Sequence, residues 1–259
     1  MLLKYFNKLV RYFIFSLPLK YIYKLEIIIL NRLGKGINDD IGSEVKSART
    51  FLKKETKIIF DIGANQGKYT DMLLHIYPNA RYFLFEPQKN LYLFLLEKFK
   101  LNNNVKIFNY AISDNSSQSK IYFDKEGSGL ASLNNRRLDH IGIKFKKAEE
   151  VKLMQLNTII KQELGDKYKV NFCKIDIEGH EFFVLKSIKN NFENYDVIQF
   201  EFGGSNIDSK IFFQDFWYLL KDEFDIYRIC NKDPILIKEY KESDETFLST
   251  NYLAVNKKL

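Results

Sequence analysis

Apolar positions along this chain follow two kinds of pattern, and the changes between them mark its elements. In residues 2–17, Leu2, Leu3, Phe6, Leu9, Val10, Phe13, Ile14 and Leu17 recur at three- and four-residue steps, the spacing of one helix face. Lys4, Lys8 and Arg11 fall on the other side of such a helix. Pro18 ends it by disrupting helix hydrogen bonding, and a second apolar segment, residues 21–30, carries Lys24 and Glu26. From residue 42 onward, short apolar runs alternate with helical patterns. The spacing predicts helices over 42–54, 68–76, 90–100, 158–164, 180–189 and 209–222. In the segment 90–100, Leu91, Phe94, Leu95 and Phe99 share a face. Strands are predicted over 57–62, 81–85, 105–110, 170–177 and 196–202, with closing strand-like segments at 225–229, 235–238 and 247–255. Two peripheral strands, 118–124 and 150–154, flank a loop rich in Gly, Ser and Asn. Alternation of helices with nearly continuous apolar strands predicts an α/β domain, its mostly parallel sheet covered on both faces. Such sheets bind ligands beyond the carboxyl ends of their strands, where the strand order reverses.

Composition supports one sizeable core: 46% of 259 residues are hydrophobic and 15% aromatic, and only 4 Pro and 12 Gly argue against a linker-rich chain. The formal net charge is +7, but residues 1–36 hold seven cations (Lys4, Lys8, Arg11, Lys20, Lys24, Arg32, Lys35) against Glu26 alone. The body is therefore close to neutral. A nucleic-acid binder spreads Lys and Arg along a working face, so no nucleic-acid partner is expected. The domain reading is a basic, amphipathic helical extension over 1–54 and a catalytic domain over 55–259. Arg11, Lys20, Lys24 and Glu26 cut the apolar run too short for a membrane span, and no small-residue cleavage site follows it. Two readings of residues 1–36 stand: helices on an anionic membrane surface, or a cap packed on the domain. The expected location is the cytoplasm, at the inner face of the membrane if the first reading holds. Cys173 and Cys230 form no pair motif and read as free thiols, Cys173 within an apolar run.

The chemistry gathers after strands. The first core strand runs into Asp61-Ile62-Gly63-Ala64-Asn65-Gln66-Gly67-Lys68-Tyr69-Thr70. Gly63 and Gly67 permit close backbone approach to a ligand. About twenty residues on, Phe85-Glu86-Pro87 ends the next strand. A carboxylate there accepts hydrogen bonds from a ribose diol, and Pro87 fixes the turn that aims it. A dinucleotide site uses G-x-G-x-x-G and a pyrophosphate on a helix N-terminus. Here the spacing is G-x-x-x-G with Asp61 before it. A carboxylate repels a pyrophosphate but tolerates a sulfonium or an ammonium, so the implied cofactor is S-adenosylmethionine. The cofactor-binding set is Asp61, Gly63, Ala64, Asn65, Gly67, Thr70, Glu86 and Pro87, with Ser113 and Asp114 after the third strand as candidate adenine contacts.

On the acceptor side, Asp176-Ile177-Glu178-Gly179-His180-Glu181 follows one strand and Glu201 ends the next. Asp176, Glu178, His180 and Glu201 are the catalytic candidates, each able to take a proton from a poor nucleophile; imidazole suits this near neutral pH. Glu181 reads as a first-turn carboxylate favoured by the helix dipole. Asp176 and Glu201 also offer hard oxygen ligands, which leaves a divalent metal such as Mg²⁺ open. His75 and His140 are isolated, and Trp217 reads as core.

The pieces FDIGANQGKYT, FEPQKN, AISD, KIDIEGHE and IQFEF, in this order and spacing, resemble the FkbM family of methyltransferases. The resemblance covers about residues 57–202 and extends more loosely to 255. It implies the class I methyltransferase (Rossmann-like) fold: a seven-stranded, mostly parallel sheet in the order 3-2-1-4-5-7-6 with an antiparallel last hairpin. It also implies O-methylation, often of sugars or other secondary metabolites. The chain departs from the family where Gln155-Leu156-Asn157 replaces a frequent Thr-Leu-Asp, and where His180 replaces a small residue. The leading expectation is an S-adenosylmethionine-dependent O-methyltransferase acting on a saccharide or glycan-type acceptor, including a lipid-linked one. The alternatives are a nicotinamide-dependent oxidoreductase and a non-catalytic module that keeps the fold. No Asn-Pro-Pro-Tyr-like stretch and no basic groove suggest a protein or RNA substrate.

Overall fold

The computed structural model describes residues 2–36 and 41–259. Residues 37–40, part of the expected extension, lie outside the described residues, as do the side chains of Leu2, Leu3 and Lys4 in the first amphipathic pattern. Helices α1 (Leu2–Ser16) and α2 (Leu19–Arg32) open the chain, with Pro18 between them at φ −56°, ψ 139°. The body then runs α3 (Ile41–Arg49), β1 (Ile58–Ile62), α4 (Lys68–Ile76), β2 (Arg81–Phe85), α5 (Lys89–Lys98) and β3 (Val105–Phe108). A small second sheet follows: β4 (Ala111–Ser113), β5 (Gln118–Phe123) and β6 (Lys147–Gln155). The chain continues as α6 (Leu156–Leu164), β7 (Val170–Ile175), α7 (Glu181–Ser187), β8 (Tyr195–Phe202) and α8 (Ser205–Ser209). It closes with α9 (Phe213–Leu220), β9 (Phe224–Arg228), β10 (Ile235–Ile237) and β11 (Thr250–Asn256).

The main sheet has the order β10-β9-β11-β8-β7-β1-β2-β3. From β3 to β8 every pairing is parallel, and β11 lies antiparallel between β8 and β9. This is the expected order with one correction: eight strands rather than seven. The short β10 adds an antiparallel edge to β9. The strand order reverses between β1 and β7, so their carboxyl ends open the crevice where such folds bind ligands.

Side chains alternate across each strand. Phe60, Ile62, Cys173, Ile175, Ile198 and Phe200 enter the core shared with α6, α7 and α9. Ile59, Phe172, Val197 and Leu253 enter the core shared with α3, α4 and α5. Because β1, β7 and β8 keep register, Asp61, Lys174 and Gln199 are neighbours on the α3–α4 face. Beyond the paired Ile175 and Phe200, on the same face, come Asp176 and Glu201. Parity alone thus aligns a polar row across the sheet at the crevice.

Two boundaries differ from expectation. Val45 and Ala48 of α3 are buried with the body, so the uncovered extension ends near Gly36 rather than at residue 54. The helix expected over 209–222 starts late, as α9 at Phe213, because left-handed Lys210 (φ 57°) closes the short α8 before it.

Candidate functional site

The turn after β1 is held shut by its own backbone. The amides of Gly63 and Ala64 both donate to the Phe85 carbonyl at 3.0 Å, and Gly67 N–H donates to Ala64 O at 2.7 Å. Asn65 N–H donates to Glu86 Oε2 at 2.9 Å. Gly63, Asn65 and Gly67 all have positive φ. At Gly67 a β-carbon would press on Leu95 and Phe99 at 2.8 Å, so only glycine fits there. Beneath the turn, Thr70 donates to Asp61 Oδ2 at 2.6 Å, while Asp61 Oδ1 is buried without a partner. Burial raises the Asp61 carboxyl above its ordinary range, opposed by the Lys174 charge.

Glu86 is buried at the end of β2 and accepts a second amide, from Gln88, at 2.9 Å. Burial pushes its carboxyl up to about 7. Asn109 secures the turn behind it by donating to the carbonyls of Glu86 and Pro87 at 3.0 and 2.8 Å.

The turn after β7 is built around Glu181. Its buried carboxylate accepts the Ile177 amide at 2.9 Å and the Gly179 amide at 3.0 Å. Burial pushes Glu181 up to about 7. Glu178 and Gly179 take left-handed φ values of 56° and 98°, and a β-carbon on Gly179 would stand 2.7 Å from Ser205 O.

Asp176, Glu178 and Glu201 converge, with carboxylate oxygens within 4.8 Å of one another. Two cations balance them: Lys174 Nζ pairs with Asp176 at 2.9 Å, and Arg136 bonds Glu178 and lies 3.5 Å from Asp208. Burial lowers the Lys174 amine, but Asp176, Asp61 and Glu44 reverse this and leave it above its usual value. Glu201 accepts the Ser249 hydroxyl, and among the described residues no cation pairs with it. Burial first, then the charges of Asp176 and Glu178, raise its carboxyl well above the ordinary range.

These elements surround one cleft of about 1360 Å³. Of the expected cofactor residues, Gly63, Ala64, Asn65, Glu86 and Pro87 line it. Asp61, Gly67 and Thr70 do not; they sit where they fix the turn from below. Ser113 and Asp114 do not line it either: Ser113 Oγ lies 2.9 Å from His180 Nε2 and 3.2 Å from Asp114 Oδ1. Of the expected catalytic residues, Asp176, Glu178 and Glu201 line the cleft, but His180 does not. Its ring stacks on Phe183 at 4.7 Å, and burial lowers its pKa. Asn157, at the family departure, donates to Ser187 O at 3.1 Å and lies off the cleft. Sequence reasoning missed Lys174, Arg136, Ser249 and Glu44. Only Lys174 left a local signal, two residues before Asp176 on an alternating strand.

The family model described as the methyltransferase FkbM domain matches residues 61–227. The chain belongs to the FkbM methyltransferase family. A search of curated proteins gives no match. Among solved structures, this FkbM methyltransferase is similar to precorrin-6y C5,15-methyltransferase from Geobacter metallireducens (14% identity, 86% of this chain and 92% of that chain covered, TM-score 0.44). It is also similar to the fibrillarin pre-rRNA processing protein of Methanococcus jannaschii (11%, 85% and 76%, 0.47). A third is an S-adenosylmethionine-dependent O-methyltransferase of Thermotoga maritima (12%, 89% and 69%, 0.43). FkbM membership sets aside the nicotinamide reading and makes S-adenosylmethionine the methyl donor.

The residues fit that donor. The amides of Gly63, Ala64, Asn65 and Gly67 are spent within the protein, so these four have no donor left for a diphosphate. Glu86 reaches the cleft with each oxygen holding one amide, and each keeps acceptor capacity for a ribose hydroxyl.

Proposed function

We propose that this methyltransferase acts on a hydroxyl of a saccharide or glycan-type acceptor. One observation carries the reading: Asp176, Glu178 and Glu201 meet within 4.8 Å in the cleft that also contains the cofactor turn. Several carboxylate oxygens in one small volume suit a molecule that presents several hydroxyl donors. The near-neutral net charge of the body also does not favour a nucleic-acid acceptor.

Bound S-adenosylmethionine supplies an electrophilic methyl group. The chain's own residues do the rest. Glu86 holds the ribose hydroxyls, and the Gly63–Gly67 turn places its backbone beside the ligand. Asp176 and Glu178, held by Lys174 and Arg136, take hydrogen bonds from acceptor hydroxyls and fix its orientation, which is a large share of catalysis in a displacement of this kind. Glu201 takes the proton that the reacting oxygen gives up as it becomes an ether. A carboxylate with raised proton affinity is better matched to that task than an ordinary one. His180 is assigned no catalytic role, because it bonds Ser113 outside the cleft.

The test is label transfer. The protein is incubated with methyl-labelled S-adenosylmethionine and a cell-surface glycan fraction, and the product is hydrolysed to sugars. Label in a sugar methyl ether supports the reading. Label confined to protein or nucleic acid contradicts it, and cofactor binding with no transfer to any fraction marks a non-catalytic module.

A further inference from the structure

Helices α1 and α2 leave the body uncovered. Phe6, Leu9 and Phe13 on α1 are 64%, 73% and 61% exposed, and Ile28 on α2 is 63% exposed. No residue of α2 and no described side chain of α1 is buried, so the described part of these two helices does not pack as a cap. Scattered exposed apolar residues are ordinary, but apolar faces left exposed on two successive helices mark a docking surface.

Charge selects the occupant. Six cations besides Lys4 lie in residues 1–36 against Glu26 alone. A second copy docking arm to arm would bring the same cations and only Glu26 as countercharge. Anionic headgroups supply that countercharge while acyl chains take the apolar face. The 15 residues of α1 reach only about 22 Å, short of the roughly 30 Å hydrocarbon core. No helix among the described residues is long and apolar enough to cross a membrane, so the arm would lie along the surface.

The join between arm and body connects it to the cleft. Lys35 bonds the Ser243 carbonyl, and the Gly36 amide donates to Thr250 Oγ1 at 3.3 Å. Between those anchors, Leu248 and Ser249 line the cleft, and Ser249 bonds Glu201. On the other side of the join, Ile41 and Glu44 line it too.

We infer that α1 and α2 dock on an anionic lipid bilayer and hold the mouth of the catalytic cleft beside it, so that the acceptor is met at the membrane surface. Only the last clause rests on the proposed function.

The test uses the full chain and vesicles of equimolar phosphatidylglycerol and phosphatidylcholine, with pure phosphatidylcholine as control. The protein should co-sediment with the anionic vesicles and stay free with the neutral ones. Lys8→Gln with Arg11→Gln should weaken binding about thirtyfold, since each surface cation contributes a factor of about five. Phe13→Glu should release the protein while leaving its thermal melting unchanged. Orientation is read with a fluorophore on Leu248→Cys or Lys167→Cys and a quencher carried by the lipid. Lys167 precedes β7 and so marks the opposite end of the sheet. Quenching at 248 but not at 167 supports the inference. Failure to bind anionic vesicles overturns the docking, and equal or reversed quenching overturns the orientation. A dimer in sedimentation velocity that Phe13→Glu dissociates would make a second copy the occupant. None of these readings needs methyl transfer, so failure here is separable from failure of the acceptor assignment.

Discussion

A β-carbon on Gly63 would overlap the carbonyl oxygen of Asp176. The cofactor turn and the acceptor turn therefore meet backbone to backbone, and the Asp176 amide donates to Ile62 O at 3.0 Å beside this contact. On the proposed assignment, donor and acceptor positions are set against each other by main chain rather than by adjustable side chains.

Gly63→Ala follows directly. Its φ of 85° already disfavours a side chain, and the overlap forces the two turns apart. The expected cost is about 3 kcal/mol or more of stability, with loss of cofactor binding. Urea unfolding and a cofactor titration check both. A variant with native affinity would show that the turns need not touch.

Cofactor binding should depend on pH through Glu86. Its folded-state carboxyl lies near 7, and ribose hydroxyls donate to the ionised form. Binding is thus full above that value and is lost as the carboxyl protonates below it. The dissociation constant of S-adenosylhomocysteine should be flat above about pH 8 and rise about tenfold per pH unit below about pH 6. Glu86→Gln should remove the slope.

Glu201 and His180 should separate once the acceptor is known. Glu201→Gln should lower kcat by about a hundredfold or more, as expected on losing a general base, with cofactor affinity retained. Because burial and neighbouring carboxylates raise the Glu201 carboxyl, kcat in the unmodified protein should rise with pH above the usual carboxylate range as that proton leaves. His180→Ala, which alters a group outside the cleft, should keep its turnover. Loss of kcat in His180→Ala alone would reverse the assignment.

Much of this was legible in the sequence, for a physical reason. Strands buried on both faces read as apolar runs, as in Arg81–Phe85 and Val170–Ile175, and their polar ends advertise the crevice. The partners across the fold left no such trace. Arg136 meets Glu178 from 42 residues away, and Ser113 meets His180 across 67. Local pattern carries no information on such pairs. It also suggested His180 as a base without revealing that its ring turns to Ser113. At Lys210 a left-handed residue closes α8 and delays to Phe213 a helix that the apolar spacing alone starts at 209.

Metal dependence follows from charge balance. Asp176, Glu178 and Glu201 are close enough to share one ion, but Lys174 and Arg136 already sit against two of them. A dication would have to displace those cations. Methyl transfer should therefore survive EDTA, and activity lost to EDTA and restored by Mg²⁺ would show that the cations yield to a metal.

The most direct measurement is a calorimetric titration of the full chain and of Glu86→Ala with S-adenosylmethionine and with NAD. The turn with four of its amides spent and a buried carboxylate at its mouth predicts binding of S-adenosylmethionine, weakened by roughly 1–3 kcal/mol in Glu86→Ala, and no binding of NAD. Binding of NAD, or unchanged affinity for S-adenosylmethionine in Glu86→Ala, would contradict it.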